Sequence, residues 1–315
     1  MTEEFPSHKS IDAGTGNVCL RVADINIALT GMTPDLPLHV VGPMSQFVAS
    51  AVADAPADVA IRVDWDIPDE GQDAQLLFDS GSIWKLYQLA DGRYEFRLSA
   101  PFSGWQPYKV ARFSADWTSG EILCQRQYFV PGKAIYPLEY PLDEVLISNL
   151  LARGRGIEIH ACGLRDRDGN GYLFPGQSGA GKSTTANLWA QADEDVRVLS
   201  DERIILRLRD GRIWMYGTPW HGDAGIARPL SAPLTRIFFL GRGAQHELVP
   251  QKRAEAAARL FACSFPPFYS QGGLAFALQF LDELTQLVPC DELRFVPEPQ
   301  LVEFIRAQAT DGQRS

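Results

Sequence analysis

The chain has 315 residues, 45% of them apolar and 22% charged, with a formal net charge of −10. Such a composition buries a core, and at roughly 100–200 residues per domain it allows two domains or one large, elaborated one. An acidic balance without a dense Lys/Arg cluster argues against a nucleic-acid partner. Five cysteines, an odd number without C-x-x-C or zinc spacing, argue for free thiols in a reducing compartment.

The first twenty residues carry Glu3, Glu4 and Asp12 and only short apolar runs, so neither a signal core nor an amphipathic anchor is expected. No apolar run reaches the ~18 residues of a membrane span. The cytoplasm is therefore the expected location, with no membrane partner. Val18–Leu29 alternates like a strand. Ala49–Asp58 is small, polar and Pro-containing, and reads as a loop or a short helix leading into one. Val59–Asp64 is a short apolar strand. Ile83–Leu89 and Tyr94–Leu98 flank Asp91–Gly92 and predict a hairpin. Tyr108–Phe113 and Glu121–Phe129 continue the strand pattern. Residues 1–130 thus form a β-rich N-terminal domain of unknown role.

The texture changes at Pro131–Pro141. Leu142–Arg153 places Leu142, Val145, Leu146, Asn149 and Leu150 on one helical face, with Asp143 and Glu144 in the favoured first turn. Ile157–Leu164 and Gly171–Phe174 read as strands joined by the turn Arg165–Asn170. Lys182–Ala192 reads as a helix and Val196–Leu199 as a strand. Ile204–Arg209 and Arg212–Tyr216 form a hairpin around Asp210–Gly211. Thr235–Leu240 is an apolar strand. Pro250–Phe261 and Leu274–Leu287 read as helices, Leu293–Val296 as a strand and Gln300–Ala309 as a last helix. Residues 131–315 are expected to form an α/β domain with a mixed sheet.

One segment carries chemistry. Gly176-Gln177-Ser178-Gly179-Ala180-Gly181-Lys182-Ser183-Thr184 fits the phosphate-loop pattern G-x-x-x-x-G-K-[ST] at every fixed position. Glycines let successive N–H groups turn inward around phosphate oxygens, and the following helix adds its N-terminal donors. Lys182 supplies a point charge for the β and γ phosphates, and the Ser183 hydroxyl can ligate Mg2+. A strand before the segment and a helix after it give it the required context.

Such a loop needs a carboxylate. Asp201 and Glu202 follow the strand Val196–Leu199 and are the best candidates. Asp201 can bind Mg2+ or deprotonate an acceptor hydroxyl, and Glu202 can share the metal shell. His160, on the preceding strand, is placed to pair with Asp201 from a neighbouring strand. Trp220 and His221 lie in a turn-rich segment that can touch substrate. Arg228 and Arg242 are weaker candidates for transferred phosphate charge.

His160-Ala161, then GYLFPGQSGAGKSTTANL, then Leu199-Ser200-Asp201-Glu202 resembles the core of bacterial HPr kinase/phosphorylase. It also resembles the related nucleotide core of ATP-dependent phosphoenolpyruvate carboxykinase and the HPr-kinase-like enzymes found beside peptide-modification genes. The resemblance spans roughly residues 142–245. It implies a P-loop kinase core with a mixed β-sheet, with ATP and Mg2+ as cofactors. It assigns assistance in the chemistry to His160, action on the acceptor hydroxyl to Asp201 and the metal region to Glu202. The chain departs from HPr kinase at Glu202, where the family has a second Asp, and at Thr184, where it has Glu. These departures point away from HPr and towards another protein, a peptide or a small hydroxylated molecule as acceptor. The expected function is an ATP-dependent kinase. The alternatives are a nucleotide-dependent ATPase or switch and a nucleotide-binding regulatory protein. ATP against GTP and self-association into a homo-oligomer stay open.

Overall fold

The computed structural model describes residues 16–49, 56–68 and 73–311. Most of the Ala49–Asp58 segment, and of the N-terminal stretch read as neither signal nor anchor, lies outside the described residues. The chain divides into two compact units. The first runs to Glu139 apart from Val22–Ile25, and the second takes those four residues and the chain from Tyr140 on. The divide falls past residue 130 because Ile135 belongs to the first unit. Its N–H donates to Pro37 O (3.0 Å), and its carbonyl accepts from His39 N (2.9 Å).

The first unit holds β1 (Asn17–Val22) and β2 (Ile25–Gly31), except for their adjoining end residues Val22 and Ile25, with β3 (Val59–Trp65), β4 (Ala74–Asp79), β5 (Trp84–Leu89), β6 (Tyr94–Ser99), β7 (Pro107–Phe113) and β8 (Ser119–Cys124). They form one mixed sheet in the order β1-β2-β3-β8-β7-β6-β5-β4, with β2–β3 and β3–β8 parallel. The stretch Val18–Leu29 is two strands, because Ala23 and Asp24 take positive φ (49° and 56°) and turn the chain. The expected hairpin joins β5 and β6, with Gly92 at φ 86°. The strand expected over Glu121–Phe129 stops at Cys124, and Arg126–Tyr128 is a 3-10 turn. Phe113 stacks on Trp117 at 5.2 Å within the aromatic core.

The second unit contains α1 (Leu142–Leu151), β9 (Ile157–Arg165), β10 (Gly171–Pro175), α2 (Lys182–Ala192), β11 (Arg197–Ser200), β12 (Arg203–Arg209), β13 (Arg212–Gly217), β14 (Ser231–Arg242), β15 (Glu247–Pro250), α3 (Arg253–Ala262), α4 (Gln271–Leu287), β16 (Cys290–Phe295) and α5 (Gln300–Asp311). Its strand order is β10-β9-β12-β13-β14-β16-β15, with β11 on β9 and a further parallel pairing of β10 with β14. The whole is α/β with two mixed sheets.

The long strands β9 and β14 make this possible, since each pairs with different neighbours along its length. Side-chain alternation along β9 divides the core. Ile157, Ile159 and Ala161 join a cluster with α3 and α4, while Cys162 and Leu164 join one with α2 and α5. Trp189 and Tyr172 are fully buried in the second cluster, 5.3 Å apart. Aromatic side chains of this size each bury a large apolar area. β10, β14 and β16 run parallel. Their C-terminal ends at Pro175, Arg242 and Phe295 therefore share one edge, and the segment after Pro175 begins there. No helix among the described residues is long and apolar enough to cross a membrane. All five cysteines are free.

Candidate functional site

β10 is buried along its whole length between β9 and β14. Pro175 ends it, since proline has no N–H for a further ladder bond. Gly176 then donates to His160 O (3.1 Å). A Cβ at Gly176 would lie 2.8 Å from that of Ala180, so this turn tolerates no side chain there. Gly181 takes φ 99° as the residue capping α2, a left-handed conformation that suits glycine. Beyond it the amides of Gly181, Lys182 and Ser183 take no protein acceptor among the described residues. They are the orphan donors of a helix start, a natural anion-facing set. The Ser183 and Thr184 side chains are exposed in the first turn.

Lys182 behaves differently from a surface lysine. It is 6% exposed. Its ammonium donates to Gly176 O (2.8 Å) and Gln177 O (3.2 Å) and lies 2.9 Å from His160 Nε2. Burial lowers its pKa, although Glu202 opposes the shift.

His160 pairs with Glu202, not with Asp201. Nε2 lies 3.0 Å from Glu202 Oε1. The expected His160–Asp201 pair does not form because of the local backbone register. Ala161 N donates to Glu202 O (3.2 Å), which brings the Glu202 side chain beside the imidazole. Asp201 faces another segment, with Oδ1 accepting from Gly222 N (3.2 Å) and Oδ2 from Ala224 N (3.1 Å). It is 2% exposed. Burial, then the Lys182 charge, pulls the His160 pKa below its usual value, which favours the uncharged ring, although Glu202 opposes the shift. Its Nε2 can donate to Glu202 or accept from Lys182, not both. Burial works against the Glu202 carboxylate, but His160, Arg203 and Lys182 outweigh it and lower its pKa.

Arg203, Glu144 and Glu158 complete this cluster, and sequence reasoning missed their part in it. Arg203 faces His160 across the β9–β12 ladder. Its guanidinium reaches Glu202 Oε1 (2.7 Å), Glu144 Oε1 (3.0 Å) and Glu158 Oε1 (3.5 Å) and lies over the Phe265 ring. Glu158 is buried and accepts from Ser148 Oγ (3.1 Å). Burial, then the charge of Glu144, pushes its pKa up. A usable signal existed, since Glu158 and His160 are two polar residues on one face of an otherwise apolar strand.

The remaining candidates are looser. Trp220 is buried, while His221 is exposed with Nδ1 2.8 Å from Gly222 O. Gly222 separates this segment from both acids, since a Cβ there would lie 3.0 Å from Asp201 Oδ2 and 3.3 Å from Glu202 Oε2. Arg228 is exposed, and its N–H donates to Leu199 O (3.1 Å). Arg242 is exposed at the end of β14, on the edge where the loop begins.

Among the described residues, no three His, Cys, Asp or Glu side chains converge as a metal cage. The donors present fit a magnesium ion held mostly by phosphate oxygens and water, which needs only one or two protein groups. The Ser183 hydroxyl is exposed beside the orphan amides, and Glu202 Oε2 accepts no hydrogen bond from the described residues.

No family model matches the sequence, and no curated protein does. Among solved structures the chain is similar to the Hpr(Ser) kinase/phosphatase from Coxiella burnetii, at 11% identity over 50% of this chain and 94% of that one. The TM-score is 0.28, a likeness too slight to argue from.

Proposed function

We propose that the chain is a magnesium-dependent phosphotransferase that moves the γ-phosphate of ATP to a hydroxyl of a protein, a peptide or a small molecule. The observation that carries this reading is the buried Lys182 ammonium at a glycine-turned helix start, 2.9 Å from the imidazole of the His160–Glu202 pair. Positive charge, orphan amides and a proton-handling pair are the parts phosphoryl transfer needs, because its catalysis is mostly positioning and charge stabilisation.

In this reading the loop Gly176, Gln177, Ser178, Gly179, Ala180, Gly181 and the first turn through Thr184 cradle the phosphates. Lys182 leaves its carbonyl partners for phosphate oxygens. Ser183 and the acids Asp201 and Glu202 are the groups that would hold Mg2+, which when bound neutralises phosphate charge. Asp201 is the base for the acceptor hydroxyl. Its two amide bonds orient the carboxylate, and each oxygen keeps a further lone pair. His160, paired with Glu202, assists beside it.

The test is transfer of label from γ-labelled ATP with Mg2+ to cellular peptides, proteins and small metabolites. Label on a hydroxyl-bearing acceptor is the expected result. Label released only as inorganic phosphate would favour the ATPase or switch reading. Intact ATP after long incubation, with no binding heat, would overturn nucleotide chemistry altogether.

A further inference from the structure

We propose that Arg203 is a positioning residue: braced by its bond to Glu144, with Glu158 close behind, its guanidinium holds the Glu202 carboxylate on Nε2 of His160. The inference rests on the phosphotransferase reading and extends it to a residue on the next strand.

Four observations support it. Arg203 and His160 are register partners on β12 and β9, so their backbones are fixed relative to each other by the ladder. One oxygen, Glu202 Oε1, is shared by Arg203 (2.7 Å) and His160 Nε2 (3.0 Å). The opposite side of the guanidinium meets acids from two other elements, Glu144 of α1 (3.0 Å) and Glu158 of β9 (3.5 Å). The Arg203 carbonyl also accepts from Thr218 Oγ1 (2.8 Å), which ties the start of β12 to the segment leading to His221. The planar fork of arginine can serve acids in different directions at once, and its face rests 4.2 Å from the Phe265 ring centroid.

Without this brace Glu202 has a choice of partners. Lys182 is a strong competitor, since its ammonium already lies against the same imidazole nitrogen. A carboxylate that swung to Lys182 would neutralise the charge meant for phosphate and free the imidazole to rotate. Arg203 prevents this by offering Glu202 a fixed cation on its other flank. Lysine is a poor substitute, because Arg203 serves Glu144 through Nε and Glu202 through Nη1, two donors that the planar fork holds apart in fixed directions and a rotating ammonium does not.

The test uses the full chain with Arg203→Lys, which keeps the charge, and Glu144→Gln, which loosens the brace from its far end. Two readouts are needed. The first is kcat against nucleotide KM for whichever acceptor or water the wild-type protein uses. Arg203→Lys should lower kcat by about 10-fold, less than the ~10²–10⁴-fold of losing a general-acid/base group outright because the imidazole is displaced and not removed, and leave nucleotide KM within about 2-fold. In a Glu202→Gln background the same substitution should cost nothing further, because residues acting through one another are not additive. The second is the proton NMR signal of the hydrogen-bonded His160 Nε2–H, assigned by its loss in His160→Gln. It should be present in the wild type and lost or strongly shifted in Arg203→Lys and Glu144→Gln.

Full additivity with Glu202→Gln, an unchanged kcat in folded Arg203→Lys, a signal absent from the wild type or a signal kept in Arg203→Lys each overturns the inference alone. Wild-type protein with no nucleotide turnover overturns the functional reading and this inference with it.

Discussion

Nε2 of His160 lies 3.0 Å from Oε1 of Glu202, while the neighbouring Asp201 spends its oxygens on the amides of Gly222 and Ala224. Two adjacent acids thus have separate environments, and substitution should separate their tasks. Asp201→Asn keeps an acceptor for one amide and sets an NH2 group against the other. Its transfer rate should fall by about 10²–10⁴-fold, as for loss of a general base, with Mg·ATP binding heat retained. Single-turnover kinetics beside calorimetry checks this, and transfer at the wild-type rate would remove Asp201 from the base role.

Lys182→Ala should lower turnover by about 10²-fold or more, the scale of losing a transition-state charge donor. Far-UV circular dichroism should stay unchanged, because the lysine holds only loop carbonyls and His160 and anchors no strand. A mutant that turns over normally would show that the loop does not serve phosphate.

Gly222→Ala probes the gap above both acids. The new methyl would sit 3.0 Å from Asp201 Oδ2 and 3.3 Å from Glu202 Oε2. Displacement of a reacting group by about 1 Å can cost ~10²-fold, so transfer should drop by up to that factor while nucleotide affinity holds. If binding weakens and the rate per bound nucleotide does not change, the segment bears on the phosphates and not on the acceptor.

Asp143 gives a stability prediction. Burial raises its pKa from 3.8 to about 7. The unfolded chain releases that proton near its ordinary value of about 3.9. Between these values the folded state holds more protons, so stability falls as pH rises from about 4 towards 7 and levels off above. Asp143→Asn should remove this slope and be the more stable protein at pH 8, by an amount on the order of a few kcal/mol. Urea denaturation at pH 5 and pH 8 measures it, and equal slopes for mutant and wild type would contradict the assignment.

Much of the second unit was legible because its signals are local. The glycine pattern and the following amphipathic run fixed the loop and α2. Asp210–Gly211 fixed the β12–β13 turn, where both residues take positive φ (51° and 74°). What the sequence hid is contact between distant elements. Glu144 reads as an ordinary first-turn acid, and only the fold of α1 against β9 and β12 brings it to Arg203. The same holds for β14, expected over Thr235–Leu240 but running Ser231–Arg242. Its extra length comes from pairing with β13 at one end and β16 at the other, which no window of local hydrophobicity can reveal.

The resting Lys182 already has oxygen partners, the carbonyls of Gly176 and Gln177. On the proposed reading, a triphosphate arriving at this loop would swap one set of oxygens for another, and its affinity would measure the difference between them. A change that weakens the hold of these two carbonyls on the ammonium while leaving the loop amides in place is then a route to tighter nucleotide capture.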